Sequence, residues 1–203
     1  MQLSKELSIS YKAAWYMLHR LHLACGSKIG ALHGSVEVDG VYLGGLEENR
    51  HENEKLDVGG DAGGKQAVPG MRVRGGRTIA MPIPDTTKET VQGIIYDHVR
   101  SRSTIYTDES TSYTAVAHRH QAVNHSAKEY VSGMAHNNGI ESVWAFLKRS
   151  VHGVYHNWSK KHCCAYINEL TFRLNEGNCD RDTQGRLDDL FRGMAARPSP
   201  TGS

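Results

Sequence analysis

The feature that most constrains the fold is one change of pattern along the chain, from consecutive strand patterns to strands that alternate with helices. Three apolar, β-branched segments come first, and a Gly-Gly pair separates the second from the third, which is typical of a hairpin. Helix and strand patterns then alternate up to one long amphipathic helix. Strands joined by short turns pair antiparallel, whereas strands joined through helices pair in parallel. The sequence therefore predicts an α/β protein with one mixed sheet.

The bounds of these elements follow from periodicity and from turn residues. Residues 46–65 are charged and Gly-rich and predict an exposed loop, and Pro69 is expected to place part of the second strand at an edge or in a bulge. An order of about five strands with flanking helices is that of the RNase H-like fold. The predicted strands are 35–45, 66–73, 78–83, 103–108 and 122–124, and the predicted helices are 85–99, 113–117, 138–151 and 160–176.

The first part of the chain predicts two short helices within residues 2–24, which resemble the end of a helix-turn-helix. Helix pairs are common, so the spacing leaves DNA contact and plain packing equally open. Lys12 and Arg20 are the polar residues of this segment that would contact DNA. The expected organisation is a partial helix-turn-helix at 1–26, a core at 35–177 and a C-terminal tail at 178–203.

Composition excludes several classes of protein. The formal net charge is +2, which is too small to indicate a nucleic-acid binder by itself. The four cysteines form no C-x-x-C pair, so there is no zinc-ribbon signal. No apolar run is long enough to span a bilayer and no signal peptide opens the chain, so a cytoplasmic location with free thiols is expected.

Three acids fall at positions that the predicted fold could bring together. Asp39 lies in the first strand, Asp108 ends the fourth, and Glu141 lies in the first turn of the long helix. The first and fourth strands are neighbours in this fold order. Carboxylates that hold two divalent ions suit phosphodiester chemistry, and Mg²⁺ prefers such oxygen ligands. Each acid also has a structural explanation, as a turn cap or as a favourable charge at a helix N-terminus.

Several segments together resemble transposases of the ISXO2-like insertion-sequence group, and the resemblance runs from about residue 3 to residue 177. Asp-Glu-Ser around one aspartate is a trivial match, whereas His-x-Asn-x-Ile-Glu-Ser-x-Trp at 136–144 is highly specific. The other matching segments are Val-Glu-Val-Asp-Gly-Val-Tyr-Leu-Gly-Gly at 36–45, Arg-Gly-Gly at 74–76, Ile-Tyr-Thr-Asp-Glu at 105–109, Val-Asn-His-Ser at 123–126, Tyr-Val at 130–131, Leu-Lys-Arg at 147–149, Tyr-His at 155–156 and Ser-Lys-Lys-His at 159–162.

The resemblance implies an RNase H-like DDE core in which Asp39, Asp108 and Glu141 are the catalytic acids and hold two Mg²⁺ or Mn²⁺ ions. It implies cleavage of the ends of an insertion sequence and strand transfer into target DNA. Double-stranded DNA would be the partner, the protein would form a homo-oligomer on that DNA, and it would associate with the nucleoid. Residues implied to contact DNA or to support the acids are Lys148, His136, Arg149 and Asn138.

Two departures from the family pattern leave an alternative function open. Members often carry an acid directly after the first aspartate, where this chain has Gly40, although that position is not one of the three acids. Members usually begin with a zinc ribbon and a fuller helix-turn-helix. This sequence shows neither, so recognition of the element ends is expected to be impaired. The alternative is a truncated, non-catalytic, transposase-derived DNA-binding protein, and a third candidate is an RNase H-like nuclease acting on other nucleic acids.

A few further side chains have two interpretations each. His152 and His156 are spaced to share a helix face, either for contact with DNA phosphates or for a zinc ion. Trp158 could pack or stack on a base. The three arginines of the hairpin region could contact phosphate or simply be exposed on a turn, and they are Arg72, Arg74 and Arg77.

Overall fold

The computed structural model describes residues 2–26, 30–43, 65–107, 119–122, 138–151, 153, 160–177 and 182–195. The chain divides into two compact units, one of residues 29–163 and the other of residues 1–28 with 164–203. Residues 46–64 of the loop predicted at 46–65, the short helix predicted at 113–117 and residues 123–124 of the strand predicted at 122–124 lie outside the described residues.

The unit of residues 29–163 is built on a mixed sheet with the strand order β3-β2-β1-β4-β5. β1 pairs antiparallel with β2 and parallel with β4, while β3 is antiparallel to β2 and β5 is parallel to β4. This confirms the predicted change from antiparallel to parallel pairing and the neighbouring first and fourth strands. The strands are β1 Ser35–Leu43, β2 Gln66–Val73, β3 Thr78–Ala80, β4 Thr104–Thr107 and β5 Arg119–Ala122.

The expectation for Pro69 is confirmed in part, because Pro69 lies where β2 has no partner on β3, although it forms no bulge. β2 lies between β1 and β3, and its register with β1 runs without interruption from Val36 opposite Val73 to Leu43 opposite Gln66. Pro69 is buried within this strand opposite Gly40 and forms no bulge. On its other side the pairing of β2 with β3 stops at Gly70, so the missing N–H of Pro69 interrupts no described part of that ladder.

One face of the sheet is covered by helix α3, Lys88–His98. The helix begins after the N-cap Thr87, whose hydroxyl accepts a hydrogen bond from the N–H of Thr90. The apolar residues of this helix pack into the main core. The buried members of that core are Leu32, Val36, Val38, Met71, Ile79, Ile83, Val91, Ile95, Val99 and Ile105.

Helix α4, Asn138–Ser150, covers the opposite face of the sheet. Side chains alternate along a strand, so Glu37 and Asp39 of β1 lie opposite to the core valines at 36 and 38. Both acids bond to α4, which places the helix over their face. The stripe predicted for α4 is confirmed, because its buried residues are Ile140, Val143, Trp144 and Leu147.

The second unit contains four helices among its described residues: α1 Gln2–Glu6, α2 Tyr11–Ala24, α5 Cys163–Glu176 and α6 Thr183–Ala195. The helix pair at the start of the chain and the last predicted helix are confirmed. Buried His22 of α2 bonds through Nε2 to Oε2 of Glu169 on α5, 3.0 Å away, and Arg173 lies 2.6 Å from the other oxygen of that carboxylate. None of the described helices has the length and apolar character needed to cross a membrane.

Helix α6 was not predicted, since the segment from residue 178 onward was described only as a tail. An aspartate starts the helix, because Asp182 Oδ1 accepts a hydrogen bond from the N–H of Gly185 at 2.8 Å. Gly193 lies so close to the carbonyl oxygen of Ala24 that a Cβ would collide with it. The signal that could have found it is an apolar stripe at helical spacing, formed by Leu187, Leu190, Phe191 and Met194, and contact with α2 stabilises the helix.

Candidate active site

Asp39 is held in a defined orientation on β1 by two hydrogen bonds. Its Oδ1 accepts from the backbone N–H of Gly40 at 2.7 Å. Its Oδ2 accepts from Nε1 of Trp144 on α4 at 2.8 Å. An ionised carboxylate offers about four acceptor positions, so these two bonds are compatible with coordination of a cation. Trp144 is buried, and its bond to the first acid is a contact that sequence reasoning missed.

Glu141 lies in the first turn of α4 with an exposed side chain. It precedes Trp144 by three residues, which is close to one helical turn. The indole that bonds to Asp39 therefore also holds the segment of helix that carries Glu141. Strand β1 and helix α4 thus bring the elements of two predicted acids together at one face of the sheet.

The third predicted acid, Asp108, lies outside the described residues. It follows Thr107, the last residue of β4, in the sequence. The parallel register of β1 and β4 pairs Ser35 with Thr104 and Glu37 with Tyr106, so partners differ by 69 in residue number. β4 therefore ends beside the part of β1 that leads to Asp39.

A buried carboxylate that sequence reasoning missed lies on β1, two residues before Asp39. Glu37 is 1% exposed, and its Oε2 accepts a hydrogen bond from the N–H of Ile140 at 2.8 Å. Its Oε1 lies 3.2 Å from Nε of Arg74. The guanidinium of Arg74 in turn lies 3.9 Å from the ring centroid of Tyr106 on β4. The available signal was alternation, which places Glu37 on the same strand face as Asp39 two residues later.

The interpretation of Arg74 as an exposed turn residue was wrong. Its side chain is 16% exposed and forms an ion pair with Glu37. The other interpretation, contact with phosphate, stays a prediction. Arg72 lies within β2 with a half-buried side chain, and Arg77 is exposed just before β3.

The residues predicted to contact DNA lie on α4, on α2 or outside the described part of the chain. Lys148 and Arg149 are exposed in the last turn of α4, where a cation also favours the helix dipole. On α2, Lys12 is exposed and Arg20 is half-buried. Asn138 begins α4, and its side chain is outside the described part. The predicted histidines at 136, 152 and 156 and Trp158 are outside it as well.

The donor set suits a hard divalent cation, although the described residues alone do not complete a site. Within the described ranges, no group of three or more His, Cys, Asp or Glu side chains could hold a metal ion. Asp39 and Glu141 are described and Asp108 is not. Oxygen donors are those that Mg²⁺ and Mn²⁺ prefer, and Mg²⁺ usually keeps several waters and takes only one or two carboxylates.

The sequence profile of the ISXO2-like transposase domain matches residues 31–175. This range contains the whole described sheet and both helices that cover it. The chain therefore belongs to the ISXO2-like transposase family.

One curated protein and one solved structure illustrate the similarity to individual proteins. An uncharacterised protein in the transposable element ISH50 of Halobacterium salinarum (strain ATCC 700922 / JCM 11081 / NRC-1) is 26% identical in an alignment of 185 residues. The alignment covers 85% of this chain and 63% of that protein. The chain thus spans less than two thirds of the length of this relative. A chain in the solved structure of the simian T-cell lymphotropic virus intasome with the PP2A regulatory subunit B56 gamma is 12% identical, with a TM-score of 0.44 over 98% of this chain and 71% of that chain.

Proposed function

We propose that this chain is a DDE transposase that cleaves the ends of an insertion sequence and transfers them to target DNA. In this proposal Asp39, Asp108 and Glu141 are the catalytic acids and hold Mg²⁺ or Mn²⁺ ions on an RNase H-like core. The observation that carries it is the pairing of Asp39 with Trp144 at 2.8 Å, because it joins the strand of the first acid to the helix of the third. Membership of the ISXO2-like transposase family supports the same function.

The register of the sheet supports the inclusion of Asp108. Described partners on β1 and β4 differ by 69 in residue number, and Asp39 and Asp108 differ by the same 69. A continuation of this pairing by two residues would set the two acids opposite each other. Opposed residues of neighbouring strands project from the same face, which is also the face covered by α4.

The side chains have distinct roles in the proposed reaction. Bound divalent ions would activate the nucleophile and stabilise the leaving oxygen of the phosphodiester. Asp39 is firmly oriented, since Gly40 and Trp144 both donate to it. Lys148 follows Glu141 by seven residues, two turns along the same exposed face of α4, and would contact a DNA phosphate.

The interactions with DNA and with other copies belong to the same proposal. Helices α1 and α2 would be the end of a helix-turn-helix that contacts DNA through Lys12 and Arg20. The substrates would be duplexes with the element's terminal repeats and the target DNA. Two ends must be joined in one event, so a homo-oligomer on DNA is expected.

The test is strand transfer by the Asp39→Asn variant. With Mg²⁺ or Mn²⁺ and a duplex carrying the sequences that flank the gene, we expect the wild type to join DNA ends and the variant to lose this activity while it still binds the duplex. Asp97→Asn is the matched control, because Asp97 is exposed on α3 at the other face of the sheet. End joining by Asp39→Asn would refute the assignment of the acids.

The competing functions give different outcomes in the same experiment. Salt-sensitive duplex binding without cleavage by any protein, including the wild type, would identify a non-catalytic DNA-binding protein. Metal-dependent cleavage of an RNA–DNA hybrid in preference to the terminal-repeat duplex would identify an RNase H-like nuclease.

A further inference from the structure

One buried ion pair connects β1 and α4, which carry Asp39 and Glu141, with β4, the strand that Asp108 follows in the sequence. Glu37 is on β1, two residues before Asp39. Its Oε2 accepts from the N–H of Ile140, the residue before Glu141 on α4, at 2.8 Å. Its partner Arg74 stacks on Tyr106, which is two residues before Asp108 in the sequence. Each branch of the network thus ends one or two residues from a proposed acid.

We infer that the Glu37–Arg74 pair is a positioning device that fixes β1, the first turn of α4 and β4 relative to one another, and thereby sets the affinity of the proposed site for its divalent ions. This inference rests on the proposed function and adds residues that do not themselves touch metal or DNA. Glu37 is 1% exposed and both of its oxygens have protein partners, so it acts through the backbone and through Arg74.

The N-terminus of α4 accommodates the carboxylate of Glu37. The first N–H groups of a helix have no partner within the helix, and Glu37 satisfies that of Ile140. A negative charge is also favourable at a helix N-terminus. Gly139 leaves the required space, since a Cβ at this position would lie 2.5 Å from Oε2 of Glu37. The close approach fixes where the first turn of α4, and with it Glu141, meets β1.

Arg74 extends the same restraint to β4. A guanidinium is planar, so it can donate to a carboxylate and stack on an aromatic ring at the same time, which a lysine ammonium cannot do. The 3.9 Å distance to the Tyr106 centroid and the 3.2 Å distance to Glu37 Oε1 use both properties. The pair therefore holds the two parallel strands in register on the side that faces α4.

The experiment measures Mn²⁺ binding by isothermal titration calorimetry with the full chain. The first variant is Glu37→Gln, which keeps the side-chain volume but sets an amide N–H₂ against one of the two donors. Groups that support metal ligands typically change metal affinity by about 10–100-fold, so we expect the Mn²⁺ dissociation constant to rise at least about tenfold. In strand-transfer assays kcat falls while KM for DNA is unchanged.

Glu169→Gln is the matched control. Glu169 is a second buried carboxylate with two side-chain partners, His22 and Arg173, and it belongs to the other unit. The Glu169→Gln variant should lose thermal stability as Glu37→Gln does, but it should keep wild-type Mn²⁺ affinity. Equal Mn²⁺ affinities of Glu37→Gln and wild type would overturn the positioning role.

Arg74→Lys keeps the test decisive if Glu37→Gln does not fold. It preserves the charge opposite Glu37 but not the flat stacking on Tyr106, so we expect a smaller loss of Mn²⁺ affinity that still exceeds that of Glu169→Gln. Wild-type affinity in Arg74→Lys would then contradict the inference. Failure of the proposed function looks different, because in that case the wild type binds no Mn²⁺ or Asp39→Asn binds it as the wild type does.

Discussion

At the scale of single residues, Asp39 is oriented by groups that lie far from it in the chain. Trp144 on α4 donates to its carboxylate, and Glu37, two residues before it, pairs with Arg74. Glu37 and Arg74 are 37 positions apart and meet only because β1 and β2 pair. The surroundings of Asp39 therefore depend on strand register.

The first prediction concerns the indole that bonds to Asp39. Trp144→Phe keeps an aromatic ring but removes the Nε1–H that donates to Oδ2. Loss of a hydrogen bond to a charged group costs about 1.5–3 kcal/mol, so we expect a decrease of that size in the free energy of unfolding, measured by urea denaturation. Mn²⁺ affinity should fall as well, because the carboxylate is less firmly oriented.

The control for this prediction is Trp15→Phe. Trp15 is partly exposed on α2 and stacks on His19 with ring centroids 4.8 Å apart, a contact that a phenyl ring can keep. We expect a change within about 0.5 kcal/mol. Trp144→Phe should also be non-additive with Asp39→Asn in a double-mutant cycle, and strict additivity would contradict a direct bond.

The second prediction concerns the thiol of Cys25. Burial, and then the negative charge of Glu169, raise the pKa of Cys25 from 9.0 to about 11. At pH 8 its thiolate fraction is then about a hundredfold smaller than at the ordinary pKa, so we expect slow alkylation by iodoacetamide in the folded protein and fast alkylation in urea. Glu169→Gln should accelerate the reaction in the folded state. Mass spectrometry of the labelled peptides measures both.

The sign of the linked stability effect follows from the same shift. A pKa raised in the folded state means that the contribution of Cys25 is fully present below pH 9 and is lost as the pH rises through about 11. Unfolding experiments across this window should show a steeper loss of stability for wild type than for Cys25→Ser. Equal slopes would contradict the raised pKa.

At the scale of elements, most helices and strands with a clear apolar period were predicted, and helix α6 is the exception. The stripe of α4 follows the 3.6-residue period, so its helix and its buried face were both predicted. Helix α6 has apolar residues at the same spacing, but glycines and charges stand between them, and its contact with α2 could not be inferred from local pattern. The position of Pro69, opposite Gly40 and beyond the end of the β2–β3 pairing, likewise depends on strand register.

The third prediction tests the packing of α4 on the sheet. Gly70 lies opposite Asp39 on β2, and a Cβ there would overlap the ring of Trp144. Overpacking of this kind costs about 1–3 kcal/mol, so Gly70→Ala should destabilise the protein by that amount in urea denaturation. It should also displace the indole from Asp39 and lower Mn²⁺ affinity.

Gly93→Ala should have the opposite effect on stability. Gly93 is exposed within α3, and a Cβ there meets nothing within 4 Å. Alanine in a helix interior is favoured over glycine by roughly 0.5–1 kcal/mol, so this variant should be slightly more stable than wild type. Equal effects at the two positions would show that space near Trp144 is not limiting.

At the scale of the whole molecule, strand order and pairing direction were the best-predicted properties. They follow from the lengths of the connections and from the preference of helical crossovers for parallel pairing. The separation of 69 between Asp39 and Asp108 matches the observed offset of β1 and β4, which the sequence alone could not state. Charge is the opposite case, since a formal net charge of +2 carries almost no information about where DNA would bind.

The fourth prediction uses this weak net charge to locate DNA binding. Lys148→Ala and Lys88→Ala lower the formal net charge of +2 by one unit each, but Lys148 is exposed on α4 and Lys88 is exposed on α3, at opposite faces of the sheet. If DNA binds the face of the proposed acids, only Lys148→Ala should weaken duplex binding. It should also reduce the slope of log K against log salt by about 0.9, the value for one lost phosphate contact. Fluorescence anisotropy with a labelled duplex at several salt concentrations measures both slopes. Equal losses in the two variants would mean that binding depends on overall charge, and the face of Asp39 and Glu141 would then have no special part in it.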